Sequence, residues 1–269
     1  MGFSMFPFLD IFGRQIPLYG LFLVVGTVVG ILLLYLTAPQ KGLFRDDALY
    51  SGLYALIGGL LGAKLLYLLT ALPILVRHFA YFSGSFSAFY ALFAGGYVYY
   101  GGLLGGVFTM WLYSRQFKTP FLPYLDHAAI FLPLIHAFGR VGCFFAGCCY
   151  GIPYQGIFAV IFPLETLGLA GVALFPVQLL ESLLNFLLFL GLFFVFRKQR
   201  KSGQAAATYL VCYALIRFAL EFLRYDEVRG SFWLFSTSQW ISVIAFFVGL
   251  LLFYFAGKRG TLSKRKNVL

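Results

Sequence analysis

Arg140 and Arg217 are the residues of this chain best suited to chemistry. Arg140 stands in "GRVGCFFAGCCYG" and Arg217 in "YALIRFALEFLR", each run apolar enough for a membrane. A guanidinium presents a planar fork of donors to a tetrahedral anion, so two arginines from separate segments suit one phosphate. In the second run Tyr213, Arg217, Glu221 and Arg224 recur at spacings of four, four and three, which puts them on one helical face. An Arg217–Glu221 ion pair is the simplest reading of that stripe, but it leaves Arg224 without a purpose. "FPVQLLESLLN" aligns Gln178, Glu181 and Asn185 after the helix-starting Pro176, and Glu181 is an alternative partner for Arg217. "GGLLGAKLLY" sets Lys64 and Tyr67 among small residues that let helices approach closely. "YVYYGGLLGG" sets Tyr100 beside Gly101 and Gly102, which serve either as a packing groove or as backbone close to a ligand.

The stretch from Ile135 to Gly151 adds His136, Cys143, Cys148 and Cys149 to Arg140. Thiols and imidazole are soft ligands, yet their spacing is not that of a paired C-x-x-C site, so the sequence predicts no bound metal and no cofactor. A Cys143–Cys148 disulfide, a thiol nucleophile with His136 as its base, and plain polarizable packing are the other readings. Gly139, Gly142, Gly147 and Gly151 crowd the same stretch, which predicts a broken or re-entrant backbone over 139–151. Such backbone survives at membrane depth only when buried in protein or lining a wet cavity.

The elements that carry these residues follow from composition. Of 269 residues 61% are hydrophobic and only 11% charged, too little polar surface for a soluble domain. The chain reads as an all-α integral membrane protein, a single polytopic domain over residues 1–269. Seven spans of about 20 apolar residues are expected at Tyr19–Thr37, Ala48–Leu69, Tyr97–Tyr113, Phe121–Phe138, Val177–Phe196, Ala205–Leu223 and Ser236–Phe255. An aromatic, weakly charged arm over about 73–95 is expected to lie in the interface. A charge near the bilayer centre costs at least about 2.5–3.5 kcal/mol, which makes each intramembrane charge a site expectation.

Orientation follows the short-loop Lys and Arg. With the first loop inside, thirteen of the twenty are cytoplasmic, five are external, and Lys64 and Arg217 lie in spans. The amino terminus is then external and the basic tail, 257–269, cytoplasmic. The net charge of +11 needs no nucleic acid, since basic clusters of this kind face anionic headgroups. No basic segment precedes an apolar run at the start, so no cleaved signal peptide is expected.

Several motifs, in order, resemble the bacterial prolipoprotein diacylglyceryl transferase family: "YGL" at Tyr19, "YGGLLG" at Tyr100, the "GR-x-G" signature ending at Gly151, "P-x-Q-L-x-E" at Pro176–Glu181, "Y-x-x-x-R-x-x-x-E-F-x-R" at Tyr213–Arg224 and, loosely, "S-x-Q" at Ser236–Gln239. The resemblance implies a transferase of the cytoplasmic (inner) membrane that moves the diacylglyceryl group of phosphatidylglycerol to a thiol of a lipoprotein precursor, releasing glycerol phosphate. Its partners would be phosphatidylglycerol or a similar anionic phospholipid and the prolipoprotein signal peptide. Arg140 and Arg217 would flank the lipid phosphate, with Tyr213 and Gln178 lining the same cavity. Tyr100 and His136 complete the expected catalytic set. Tyr19, Lys64, Tyr67, Gly101, Gly102, Cys143, Gly151, Glu181, Glu221, Arg224 and Gln239 complete the expected substrate contacts.

The chain departs from the family at Tyr100, where a histidine is usual, at Cys143, where an asparagine is usual, and at Cys148, where an acid is usual. The base that deprotonates the acceptor is therefore open among Tyr100, His136 and a self-ionising acceptor thiol. A paralogue with another acceptor is one alternative. A lipid or anion transporter, with Lys64, Arg140, Arg217 and Glu181 along a path, is another; the lack of inverted repeats argues against the commonest transporter plans.

Overall fold

The computed structural model describes residues 7–78, 84–87, 90, 95–163, 169, 171–197, 201–225 and 231–258. Seven long helices run through them: α1 (Leu18–Thr37), α2 (Arg45–Arg77), α3 (Tyr99–Phe117), α4 (Phe121–Ala146), α5 (Val177–Val195), α6 (Gln204–Leu220) and α7 (Thr237–Lys258). All but α3 are long and apolar enough to cross a membrane. Three two-stranded antiparallel hairpins punctuate them: β1–β2 (Phe8–Ile11, Arg14–Pro17), β3–β4 (Val160–Ile161, Ala173–Leu174) and β5–β6 (Ser231–Phe232, Phe235–Ser236). The burial pattern is that of a protein whose solvent is lipid. Gln178, Glu181 and Asn185 are wholly buried while large apolar side chains of every long helix except α4 face outward. The chain is a multi-pass, all-α membrane protein.

Local sequence explains where the helices start and stop. Gly42, left-handed at φ 70°, closes the turn after α1, and Asp46 and Asp47 stand in the first turn of α2, where the helix dipole favours acids. α2 continues through Pro73 to Arg77, so the first residues of the expected interfacial arm are helical. The rest of that arm, and the tail beyond Lys258, lie mostly outside the described residues. α4 differs most from expectation: it runs unbroken through Gly139 and Gly142 to Ala146, and the break comes at Gly147. Gly142 is tolerated because its missing side chain admits the backbone of Tyr19, whose oxygen would stand 3.0 Å from a Cβ there.

The chain divides into two compact units, residues 43–125 and residues 1–42 with 126–269. In the first, α2 and α3 pack backbone to backbone, with Gly58, Gly62, Gly101 and Gly105 so close that a side chain on any of them would collide with the opposing helix. Asp47 accepts from the Tyr113 hydroxyl at 2.8 Å and from the Tyr124 hydroxyl at 3.2 Å. In the second unit, Gly26 and Gly30 of α1 receive Phe138 and Ile135 of α4, and Gly249 of α7 receives Val211 of α6. These close approaches leave the inward faces of α4, α5 and α6 to carry the polar groups.

Candidate functional site

Glu181 is the centre of the polar cluster. It lies in the second turn of α5 and is wholly buried. Arg140 reaches Glu181 Oε1 at 3.0 Å from α4, and Arg224 reaches Oε2 at 3.6 Å from just past the 3-10 turn that extends α6. One turn before Arg140, His136 accepts the Arg140 Nε–H at Nε2, 3.3 Å away. Because that nitrogen accepts from a guanidinium, its 3.7 Å separation from Glu181 is a contact between a neutral ring and a carboxylate. His136 therefore supports Arg140. Tyr213 covers the imidazole with ring centroids 5.3 Å apart.

Arg217 completes the cluster. It pairs with Glu221 at 2.6 Å within α6 and its 3-10 extension, and the same Nη2 donates to the Ser238 hydroxyl at 3.0 Å. Glu221 also accepts from the Ser236 hydroxyl at 2.7 Å. Arg217 lies within electrostatic range of Glu181 and His136. Its Nη1 is buried and has no hydrogen-bond partner among the described residues. A buried donor left unmade costs about 1–3 kcal/mol, more when charged, so this one is a place for an acceptor that the chain does not supply. Among the described residues, three guanidiniums against two carboxylates leave one positive charge in the cluster.

The turn after α4 builds the remaining wall. Gly147, at φ 68°, caps the helix: its N–H bonds to Phe144 O and the Cys148 N–H to Cys143 O, both at 3.1 Å, the paired bonds of a Schellman motif. The reversal lays Cys148 back over Cys143, and the sulfurs of Cys143, Cys148 and Cys149 come within 4.8 Å of one another. Gln178, buried in the first turn of α5, donates to the Cys148 carbonyl at 2.8 Å. Gly151 follows, clamped between Phe175 and Leu223; a Cβ would lie 2.6 Å and 2.8 Å from their oxygens. That clamp pairs Gly151 with Arg224 and so sets the backbone of the third arginine.

The structure thus brings together Arg140, His136, Glu181, Tyr213, Arg217, Glu221 and Arg224. Glu181 pairs with Arg140 and Arg224, and Arg217 takes Glu221, which decides between the two partners the sequence offered. Three expected substrate contacts also make contacts within the chain. Gln178 pins the Cys148 turn, Gly151 is filled by backbone, and Gln239 accepts the Ser236 N–H at 2.9 Å at the start of α7. Tyr19, half-exposed at the start of α1, packs on Gly142. The other expected residues belong to the unit of residues 43–125. There Lys64 donates to Gly95 O at 2.5 Å and lies over the Tyr67 and Tyr97 rings at 4.9 Å and 5.2 Å. Gly101 is spent on the backbone of α2, Gly102 approaches Gly59, and Tyr100 packs its ring on Tyr99.

Sequence reasoning passed over Ser238, which lies inside the "S-x-Q" motif, and Asp126 and His127, whose charge and imidazole in an apolar run were the available signal. Asp126, 2% exposed, accepts from the Gly203 N–H at 2.5 Å and the Ala206 N–H at 2.9 Å, capping α6. His127 Nε2 lies 2.8 Å from Leu34 O and ties α4 to α1.

Comparison with known proteins gives a consistent result. A family model described as prolipoprotein diacylglyceryl transferase matches residues 7–255. A protein of Clostridium perfringens named phosphatidylglycerol–prolipoprotein diacylglyceryl transferase 2 is 35% identical over 244 residues, covering 91% of this chain and 92% of that protein. Proteins with the same name, without the numeral, are 37% identical in Clostridium tetani, over 59% of this chain and 63% of the relative, and 32% identical in Teredinibacter turnerae, over 62% and 58%.

Proposed function

The chain belongs to the prolipoprotein diacylglyceryl transferase family, and from that premise we propose that the Glu181-centred arginine cluster holds the phosphate of phosphatidylglycerol while its diacylglyceryl group passes to the lipobox-cysteine thiol of a prolipoprotein. The observation that supports this assignment is that, among the described residues, the cluster keeps one uncompensated positive charge and the Nη1 of Arg217 has no hydrogen-bond partner. A phosphodiester bears one negative charge, so the bound lipid neutralises the cluster.

The roles follow from the charge that develops. As the glyceryl C–O bond breaks, its electron pair stays on the phosphate, which gains negative charge where Arg140 and Arg217 stand. Fixed guanidiniums in a water-poor site stabilise that charge without reorganising. Glu181 and Glu221 hold two of those guanidiniums in place at 3.0 Å and 2.6 Å, and Glu181 and Gly151 set Arg224. His136 and Tyr213 wall the site. With α3 as a seventh crossing beside the six more apolar helices, the amino terminus is external and the carboxyl tail cytoplasmic in the inner membrane, and the cluster serves precursors as they emerge on the outer face. The test is a synthetic lipobox peptide incubated with purified protein and phosphatidylglycerol vesicles. Mass spectrometry should show one diacylglyceryl group per peptide, and a peptide with serine in place of cysteine should stay unmodified. Equal labelling of both peptides overturns the assignment of the thiol as acceptor.

A further inference from the structure

The three thiols gathered at the end of α4 are the feature that the phosphate site leaves unexplained. Spacing along the chain disfavours a metal, but the fold brings together thiols that the sequence holds apart. The Schellman turn at Gly147 returns Cys148 to Cys143, and Cys149 follows at φ 60°, a left-handed conformation that a side-chain-bearing residue seldom holds. Gln178 fastens the turn through the Cys148 carbonyl at 2.8 Å. The result is three sulfurs, all half-buried, within 4.8 Å of one another. Tetrahedral thiolate ligation with metal–sulfur bonds of about 2.3 Å sets sulfurs roughly 3.8 Å apart, so binding asks each pair to close by about 1 Å or less.

We propose that Cys143, Cys148 and Cys149 form a three-thiolate site for a soft divalent ion of the zinc class, with its fourth position open to the thiol of the acceptor. Thiolates select such ions over hard ones, and three protein ligands with one open position is the pattern of catalytic rather than structural zinc. The site also supplies what the arginine cluster lacks: a coordinated thiol is deprotonated outright, so no side chain need act as base, and His136 stays with Arg140.

The part of the proposal that concerns the acceptor rests on the transferase reading above. The acceptor thiol gives its proton to water as its sulfur joins the ion. That sulfur then attacks the glyceryl carbon: a C–S bond forms on the sulfur's electron pair, and the C–O bond breaks with its pair leaving on glycerol phosphate. Nothing is oxidised or reduced.

Full-length protein in detergent, reduced and stripped with a chelator, is titrated with cobalt(II) and then zinc(II). The expected result is one cobalt per chain, with thiolate-to-cobalt charge-transfer absorption that one equivalent of zinc abolishes. Cys148→Ser and Cys149→Ser should each weaken binding by more than about 100-fold, the upper end of what losing a mere supporting partner costs. Cys212→Ser, at a half-buried thiol elsewhere on α6, should leave it unchanged. A cysteine peptide should shift the cobalt d–d bands and its serine analogue should not. Absence of the charge-transfer band in wild type, or binding that survives the loss of Cys148 or Cys149, overturns the site. Wild-type zinc content by elemental analysis reads the same point if the variants fail to fold. Metal binding without turnover of phosphatidylglycerol retains the site and sinks the transferase reading; turnover at full rate in protein that binds no metal does the reverse.

Discussion

Arg217→Lys separates the charge of this residue from the geometry of its fork. In the native side chain Nη2 is occupied by Glu221 at 2.6 Å and Ser238 at 3.0 Å, which leaves Nη1 for the lipid phosphate. A lysine has one nitrogen on a shorter head. It keeps the pairing with Glu221 and the cluster's single positive charge, and it has no second arm to extend. The loss is one charge-assisted donor aimed at the leaving phosphate, worth roughly 2.7–4 kcal/mol, or about 10²–10³ in rate. Because Nη1 meets the phosphate of the bound lipid and meets it more strongly as charge builds there, kcat/KM should fall by that factor, with kcat taking the larger share. The assay is release of glycerol phosphate from headgroup-labelled phosphatidylglycerol, with thermal unfolding in detergent run in parallel to show that folding survives. Arg115→Lys, exposed on α3 over the Trp111 ring, is the control and should turn over normally. If Arg217→Lys releases glycerol phosphate at the wild-type rate, Arg217 is structural and the phosphate assignment is wrong.

Glu181→Gln removes the counter-charge of two arginines in a fully buried setting; breaking such a pair costs about 3–5 kcal/mol, so thermal unfolding in detergent should shift down sharply and turnover should be lost together. Gly151→Ala places a methyl 2.6 Å from Phe175 O, and overpacking of this kind costs about 1–3 kcal/mol; unchanged unfolding would contradict the clamp. Asp126→Asn takes an ionised acceptor from the N–H groups of Gly203 and Ala206, and losing a cap costs about 0.5–2 kcal/mol, so stability should fall while the rate per folded molecule holds. Reporter fusions at Lys266 should report a cytoplasmic tail, given thirteen basic residues inside against five outside.

The polar residues are legible in the sequence because lipid makes each one expensive, so Arg140, Glu181, Arg217, Glu221 and Arg224 stand out from their apolar runs. Which carboxylate takes which arginine was not legible, since helical spacing fixes faces and not the rotation of one helix against another. The glycines misled in one respect. Four in one stretch suggested a break from Gly139, yet glycine inside a membrane helix also serves close approach, and only Gly147, at the helix end, has the left-handed φ that stops it. Gln178 and Gly151 were found by motif and read as ligand contacts. Each also meets backbone that lies far from it in sequence, and no periodicity reports that. The cysteines were judged by linear spacing, and the turn that brings them together is a three-dimensional property of Gly147.

The central claim is tested most directly by one stoichiometry. Purified protein is given phosphatidylglycerol labelled in its glycerol headgroup and a lipobox peptide, and glycerol phosphate and thioether-linked peptide are counted together. The account predicts one glycerol phosphate released for each diacylglyceryl-peptide formed, and neither product when Arg140 and Arg217 are both replaced by glutamine. Peptide modification without glycerol phosphate, or full release by the doubly substituted protein, would contradict it.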